Sequence, residues 1–467
     1  MDDVVAYLRE RRGEALEELK EFLRIPSVSA QPKHAKDVER AAQWVADALR
    51  RAGMPTVEVA PTAGHPIVYA EWLGAPGAPT LLLYGHYDVQ PPEPLDLWKS
   101  PPFEPTERGG DLYARGATDD KGQVFAHVKA IEAHLRAGQG LPVNVKVVIE
   151  GEEEVGSKAL YAWLDANRER LACDFVVISD TAMHDEKHPA ITYALRGLVY
   201  YQVDVRGPSH DLHSGIYGGA VRNPAEALVH MLASMKDAKT GRIKIPGFYD
   251  DVRPPTRAER NALARLPWSD RALQKELGVK TLFGEKGWTS LERMWLRPTF
   301  EINGVYGGYT GDGAKTVIGA EAHAKVSMRL VAGQTPEKTG KRFKKALKGL
   351  APSGVEVKVT QLSGGMPCLV PADHPAVAAG LRALEKGFGM RPVLIAEGGS
   401  IPIVAAFERV LGAPSVLLGF GLHDEGAHSP NERFRIAHFE KGMEAAAWVY
   451  HELAAVEPPL ARAARKK

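Results

Sequence analysis

Five short segments gather the side chains that hold metal ions or move protons. In Leu81-Leu82-Leu83-Tyr84-Gly85-His86-Tyr87-Asp88-Val89, an apolar run ends in a histidine and an aspartate two positions apart. In extended chain such a pair points to one side. That suits a metal-bound imidazole whose second nitrogen donates to a carboxylate, and equally a strand-end hydrogen bond without metal. Tyr113-Ala114-Arg115-Gly116-Ala117-Thr118-Asp119-Asp120-Lys121-Gly122 sets two carboxylates between glycines, directly before a helical pattern. Acids at a helix start usually cap it; the rival role is a carboxylate bridging two cations. Ile149-Glu150-Gly151-Glu152-Glu153-Glu154-Val155-Gly156-Ser157 follows an apolar run with a glutamate cluster, either a solvated face or a crowd of acids that requires cations. Ile178-Ser179-Asp180-Thr181 ends on a carboxylate that alone reads as a turn or cap residue. Far downstream, the segment from Gly421 to Glu432 carries His423 and His428 among carboxylates. Each has a bland reading singly. Five at the ends of apolar runs share only one, because ligands of open α/β sheets bind at the carboxyl ends of the strands.

Charge balance gives that reading chemical content. Two divalent cations are matched by the carboxylates of Asp119, Glu154 and Asp180 plus one hydroxide, with His86 and His428 as neutral ligands. Nitrogen and oxygen donors without thiolate suit zinc, with manganese or cobalt as substitutes. Paired ions acidify a bridging water and polarise a carbonyl, and an unligated carboxylate beside them serves as general base.

Such residues need a sheet to align them. The runs Thr80–Tyr84, Val143–Ile149, Phe175–Ser179 and Ser415–Gly419 are nearly continuous in apolar residues, as in strands covered on both faces. Val124, Val128, Ile131 and Leu135 recur at helical spacing between the first two; Val38, Ala41, Trp44, Val45 and Leu49 do so over 35–52. Leu16, Leu19 and Leu23 form a stripe in a first helix that Pro26 stops. The pattern predicts an α/β fold with a mostly parallel sheet flanked by helices. From about Leu195 the texture changes: Tyr200–Val205 and Ala324–Val331 alternate, as half-exposed strands do, around the helical pattern Asn223–Met235. After Pro371 the continuous style returns, with a helix near Pro375–Gly387. We therefore expect a discontinuous catalytic domain, 1–194 and 371–467, interrupted by an inserted α+β domain, 195–370.

Composition sets the outer limits. The chain has 467 residues, 44% hydrophobic and 25% charged, which excludes bulk disorder. Lys and Arg number 59 against 58 Asp and Glu, so no basic excess seeks nucleic acid or anionic lipid. The two cysteines, Cys173 and Cys368, exclude a disulfide framework. No apolar run approaches the ~18–20 residues of a membrane helix, and the acidic start Met1-Asp2-Asp3 is unlike a secretory signal. These features predict a cytoplasmic protein. The tail Ala-Arg-Ala-Ala-Arg-Lys-Lys reads as a solvated helix end.

The segments Gly-His-Tyr-Asp-Val-Gln-Pro, Tyr-Ala-Arg-Gly-Ala-Thr-Asp-Asp-Lys-Gly and Glu-Glu-Glu-Val-Gly-Ser, in this order, resemble the signature of the co-catalytic zinc metallopeptidases. That family includes carnosinases, non-specific dipeptidases, aminoacylases, succinyl-diaminopimelate desuccinylases and glutamate carboxypeptidases. The resemblance implies two zinc ions, His86 and Asp180 on one, Glu154 and His428 on the other, and Asp119 bridging them. It implies Glu153 as general base, Asp88 as the partner of His86, and a cis peptide between Asp119 and Asp120. Spacing to Val-Gly-Ser leaves Glu152 outside, and Gly-Ala-His-Ser-Pro-Asn-Glu selects His428 over His423.

In the inserted domain, Asp211-Leu212-His213-Ser214-Gly215 resembles the segment whose histidine, in dimeric members, reaches the partner subunit's site and stabilises an oxyanion. Arg329 matches the lid arginine for the substrate's C-terminal carboxylate, a task that bidentate geometry suits. Gly398, Gly399 and Ser400 match the glycine-rich substrate loop, and Asn303 and Thr316 fall at matching lid positions. Ile245-Pro246-Gly247-Phe248-Tyr249-Asp250-Asp251-Val252 and Pro298-Thr299-Phe300-Glu301-Ile302-Asn303-Gly304 are most similar to the carnosinase and non-specific dipeptidase branch. The implied function is a homodimeric dipeptidase, joined through the lid, in which Glu153 activates a metal-bridging water. An N-acyl amino acid deacylase would keep the same metal core, and a catalytically silent binding protein would keep the fold. Neither nucleic acid nor membrane is an expected partner.

Overall fold

The computed structural model describes residues 1–399 and 401–457. The chain forms two compact units: Met1–Tyr193 with Val370–Ile395 and the chain from Ala406 onward, and Ala194–Leu369 with Ala396–Ala405. The return segment Ala396–Ala405 groups with the inserted unit because Arg196 ties it there. The Arg196 backbone N–H donates to the Glu397 carbonyl at 3.2 Å, and its Nε to the Gly398 carbonyl at 3.2 Å.

The first unit is organised by a sheet in the order Thr56–Ala60, Ile67–Trp72, Asn144–Glu150, Thr80–His86, Phe175–Ile178, Ser415–Gly419, Ala190–Leu195. Its centre is parallel, from Asn144–Glu150 through Thr80–His86 and Phe175–Ile178 to Ser415–Gly419. Its margins are antiparallel. The central strands are the continuous apolar runs, and Leu81–Leu83, Val147–Ile149, Val176–Ile178 and Val416–Leu418 are all buried. The outermost strand, Thr56–Ala60, is open to solvent along one side and alternates accordingly. Parallel register brings the strand ends to one edge, pairing His86 with Glu150, Tyr84 with Ile178, and Leu417 with Ile178.

Helices cover this sheet. Ala35–Ala52 buries Val38, Ala41, Val45 and Leu49, half-buries Trp44 against Phe22 (ring centroids 4.5 Å apart), and ends at Gly53, whose φ of 100° is a left-handed cap. Lys121–Arg136 is buried around most of its circumference, which fits a helix that also packs against Ile436–Ala454. The N-terminal segment forms two helices, Asp2–Glu10 and Arg12–Leu23, which break at Arg11, and the stripe Leu16, Leu19 and Leu23 lies on the second. The break gives Val4 and Leu8 one buried face and Ala15, Leu19, Phe22 and Leu23 another, leaving Leu16 only half-buried.

Behind the Phe175 strand, His127 Nε2 lies 2.7 Å from the Ser179 hydroxyl, and Nδ1 lies 3.2 Å from the Tyr450 hydroxyl. Burial pushes the His127 pKa down to about 3. Between its ordinary value near 6.5 and that value, the unfolded chain binds a proton the folded chain refuses, so stability falls as pH falls. We expect this imidazole to remove about 2 kcal/mol between pH 7 and pH 5. Urea midpoints of metal-free protein at the two pH values check this: His127→Gln should flatten the slope, and an unchanged slope would refute it.

The second unit carries an antiparallel sheet in the order Thr299–Gly307, Glu321–Leu330, Gly197–Arg206, Glu356–Gly365. Val199, Tyr201, Val203 and Val205 alternate with half-exposed residues and join Ala324, Val326 and Met328 in one core. Leu228, Met231 and Leu232 of the helix Pro224–Ala233 and Phe343 and Leu347 of Pro336–Leu350 close that core. The edge strand Thr299–Gly307 leaves Ile302, Val305 and Tyr306 exposed. Among the described residues, no helix is long and apolar enough to cross a membrane.

Candidate metal centre

Four ends of the parallel strands supply one cluster in the first unit. His86 closes its strand, Glu153 and Glu154 form the 3-10 turn after Asn144–Glu150, and Asp180 follows Phe175–Ile178. Gly421–Leu422 then runs parallel to Ala182–Met183, so the last loop travels beside the one that carries Asp180. His428 has a φ of 62°, in the left-handed region that non-glycine residues seldom occupy. The structure brings His428, and not His423, to the acids.

Two groups of ligand type result: His86, Asp119 and Asp180, and Asp119, Glu154 and His428. Within each, one atom per residue lies within 4.8 Å of the others. Asp119 Oδ1 is 3.1 Å from His86 Nε2, while its Oδ2 is 2.9 Å from His428 Nε2. Thus one carboxylate faces both groups. Asp180 Oδ1 is 3.9 Å from His86 Nε2, and Glu154 Oε2 is 3.3 Å from His428 Nε2. Neither Asp119 nor Asp120 caps the helix Lys121–Arg136; Asp120, buried, accepts the His86 backbone N–H at 3.2 Å. The Asp119–Asp120 peptide is cis.

The electrostatics call for cations. Burial lowers the His86 pKa, but the carboxylates of Asp119, Asp180 and Asp88 outweigh it and hold the group well above its usual range. Asp119 and Glu154 push His428 up to about 10. Burial, with repulsion from Asp119 and Glu154, pushes Asp180 up to about 6. Glu153 rises to about 9 through burial and the neighbouring acids Asp180, Glu154 and Asp119. A proton on an imidazole and a metal ion against it are alternative cations at the same nitrogen. His86 Nε2 is buried, makes no hydrogen bond and lies 3.1 and 3.9 Å from the Asp119 and Asp180 carboxylates, a geometry that suits a metal ion. The donors are nitrogen and oxygen only, since neither buried cysteine belongs to a group.

Supporting residues lock this geometry. Asp88 is fully buried; His86 Nδ1 lies 3.1 Å from its backbone carbonyl and 3.4 Å from its Oδ1, which accepts the Glu153 N–H at 3.3 Å, while its Oδ2 accepts the Glu154 N–H at 3.2 Å. One aspartate therefore orients both an imidazole and the glutamate turn. Gln90 donates to Glu154 Oε2 at 2.7 Å. Sequence reasoning passed over Gln90, although it sits inside the Gly-His-Tyr-Asp-Val-Gln-Pro segment, because an amide neither titrates nor commonly ligates. Glu152 turns away, accepting the N–H groups of His65 and Ala159 at 3.1 and 2.9 Å.

The remaining candidates lie in the second unit. His213 is exposed, its Nδ1 accepts the Gly215 N–H at 3.0 Å, and its strand pairs with Val317–Ile318, so Thr316 follows alongside. Asn303 sits where the register of Thr299–Gly307 slips against Glu321–Leu330, a bulge of the kind that re-aims a side chain. Arg329 is half-buried, paired in register with Leu198 and Thr299. Gly398 lies against Arg196: a Cβ there would meet the guanidinium at 2.5 Å, so glycine permits the contact. Arg196, absent from the sequence-derived set, is pushed down to about 10 by burial and by Arg329. Gly399 is exposed, and Ser400 and the basic tail lie outside the described residues.

Residues 82–451 match the description Peptidase family M20/M25/M40. The chain is 33% identical over 474 residues to the Cys-Gly metallodipeptidase dug1 of Schizosaccharomyces pombe, covering 98% of this chain and 99% of that one. It is 33% identical over 471 residues to the Beta-Ala-His dipeptidase of Homo sapiens, covering 97% and 93%. Among solved structures, human carnosine dipeptidase 1 superposes with a TM-score of 0.80 at 32% identity, covering 97% of this chain and 99% of that one. The M20 family metallo-carboxypeptidase Sso-CP2 from Sulfolobus solfataricus superposes with a TM-score of 0.84 at 32% identity, covering 95% and 100%.

Proposed function

The chain belongs to peptidase family M20/M25/M40, and from that premise we propose that it is a di-metal hydrolase cleaving dipeptides and short peptides with a free C-terminal carboxylate. The observation that carries this reading is Asp119, which turns one oxygen to each of two histidine-containing ligand groups. His86, Asp180 and Asp119 would hold one ion, and Glu154, His428 and Asp119 the other. Bound there, two divalent ions, zinc by donor type with manganese or cobalt as substitutes, polarise the scissile carbonyl and acidify a water. Glu153, beside Glu154 yet in neither ligand group, is the unligated carboxylate placed to take a proton from the attacking water. It then returns that proton to the leaving amine. Asp88 keeps His86 and the glutamate turn in register throughout.

Arg329 and the loop Gly398, Gly399 and Ser400 receive the substrate's C-terminal carboxylate, Asn303 and Thr316 join in binding substrate, and His213 of a partner subunit steadies the oxyanion in a homodimer. The exposed apolar residues Ile302, Val305 and Tyr306 on an edge strand support a dimer through the second unit. A cytoplasmic location suits a chain with only two cysteines in 467 residues.

The relatives direct the substrate test to Cys-Gly and β-Ala-His. On metal-reconstituted protein, these dipeptides should turn over and N-acetyl and N-succinyl amino acids should not; the reverse preference would make this a deacylase. Tripeptides belong in the same panel, since one structural relative is a carboxypeptidase. Arg329→Met should lower kcat/KM about 10- to 150-fold, chiefly through KM, since a hydrogen bond to a charged group contributes about 1.5–3 kcal/mol. The loss should vanish on dipeptide amides, which lack the carboxylate; an equal loss on amides would remove Arg329 from that role.

A further inference from the structure

We propose that Glu432 is a positioning residue whose buried carboxylate holds the loop 115–119 so that Asp119 turns one oxygen to each ligand group. The inference rests on the metal reading of Asp119 and goes beyond it. Glu432 is completely buried. Its Oε2 accepts from Arg115 Nη1 and the Gly116 N–H, both at 2.8 Å. Its Oε1 accepts from the Thr118 N–H at 3.0 Å and the Asp119 N–H at 3.1 Å. The Ala114 N–H adds a bond to the Glu432 backbone carbonyl at 3.1 Å. The four acceptor sites of a carboxylate are thereby used, and all four point into one loop.

Three of the four donors are backbone N–H groups, so the contact specifies the path of the main chain into Asp119 rather than pairing one side chain. Glu432 also lies four residues after His428, on the loop that presents that imidazole. Asn431, with a φ of 63°, pins the same loop by accepting the Lys99 N–H and donating to the Leu97 carbonyl, both at 2.8 Å. One residue thus ties the bridging carboxylate of the first segment to the histidine of the last, across chain that no local turn could connect. Partners that orient metal ligands act in this way.

The competing account is a buried ion pair between Glu432 and Arg115 that serves folding alone. Replacing both partners by apolar residues of similar size commonly restores stability, so the two accounts separate in Arg115→Met/Glu432→Met. Zinc or manganese is titrated into metal-free protein by calorimetry, with Tm recorded in parallel. Positioning predicts that the double variant regains Tm while metal affinity stays about 10- to 100-fold below wild type. Arg115→Met alone, which keeps the bonds to Gly116, Thr118 and Asp119, should retain wild-type affinity. Glu432→Gln, which keeps one carbonyl oxygen for Thr118 and Asp119, should recover part of the loss and tests the same point if the methionine variants do not fold. Recovery of both Tm and affinity in the double variant, or wild-type affinity in Glu432→Gln with Tm lowered, would overturn the proposal. A wild-type chain binding fewer than two ions would defeat the metal reading instead, leaving Glu432 as a structural tie.

Discussion

Glu153→Gln lowers kcat about 10²- to 10⁴-fold while two metal ions remain bound per chain. The expectation follows from where this carboxylate stands: next in sequence to Glu154, yet in neither ligand group. Glutamine preserves size and removes the ability to take a proton, so substrate still binds and KM moves little. Glu154→Gln is the contrasting neighbour. It acts on a residue that faces His428 at 3.3 Å and is held by Gln90, and it should cost metal occupancy first. Elemental analysis beside steady-state kinetics distinguishes the two. Near-normal turnover by Glu153→Gln with both ions in place would move the base elsewhere.

The two neighbours also show how far the chain could be read without coordinates. The central strands were legible because burial on both faces leaves a continuous apolar run, and Thr80–His86 and Ser415–Gly419 are that kind of segment. The antiparallel margins were not, since Thr56–Ala60 is an edge strand with a polar outer side. Likewise, the N-terminal segment reads as one helix yet holds two, because a break at Arg11 changes which face is buried without a proline to mark it. Acids and histidines announced themselves by type at strand ends. Whether Asp119 and Asp120 capped a helix or bridged cations was undetermined from the residues alone, for both roles place acids before an apolar helix. The answer depends on Asp120 turning to the His86 N–H, a contact between distant segments. Gln90, Arg196 and Glu432 escaped for the same reason: their contacts are long-range hydrogen bonds, which neither residue type nor local spacing announces.

Removing Asp119 should be more damaging still. Asp119→Ala takes a donor from both ligand groups at once, whereas Asp180→Ala touches one. The double loss predicts fewer than one ion per chain and turnover reduced by more than about 10⁴-fold, since carbonyl polarisation and water acidification both go with the ions. Asp180→Ala should retain the other ion. The imidazoles supply a readout that needs neither metal nor substrate. In metal-free wild type, Asp119, ahead of Glu154, pushes the His428 pKa up to about 10. Without that carboxylate the protonated form loses its main partner, so the pKa must fall, and an NMR titration of the variant should show His428 deprotonating at lower pH. The same sign governs metal binding to wild type. Ions and protons compete for His86 and His428, so affinity should weaken as pH falls from 8 to 6, with protons released on binding. Binding that is independent of pH, or an Asp119→Ala chain that keeps two ions, would show that this carboxylate does not join the two groups.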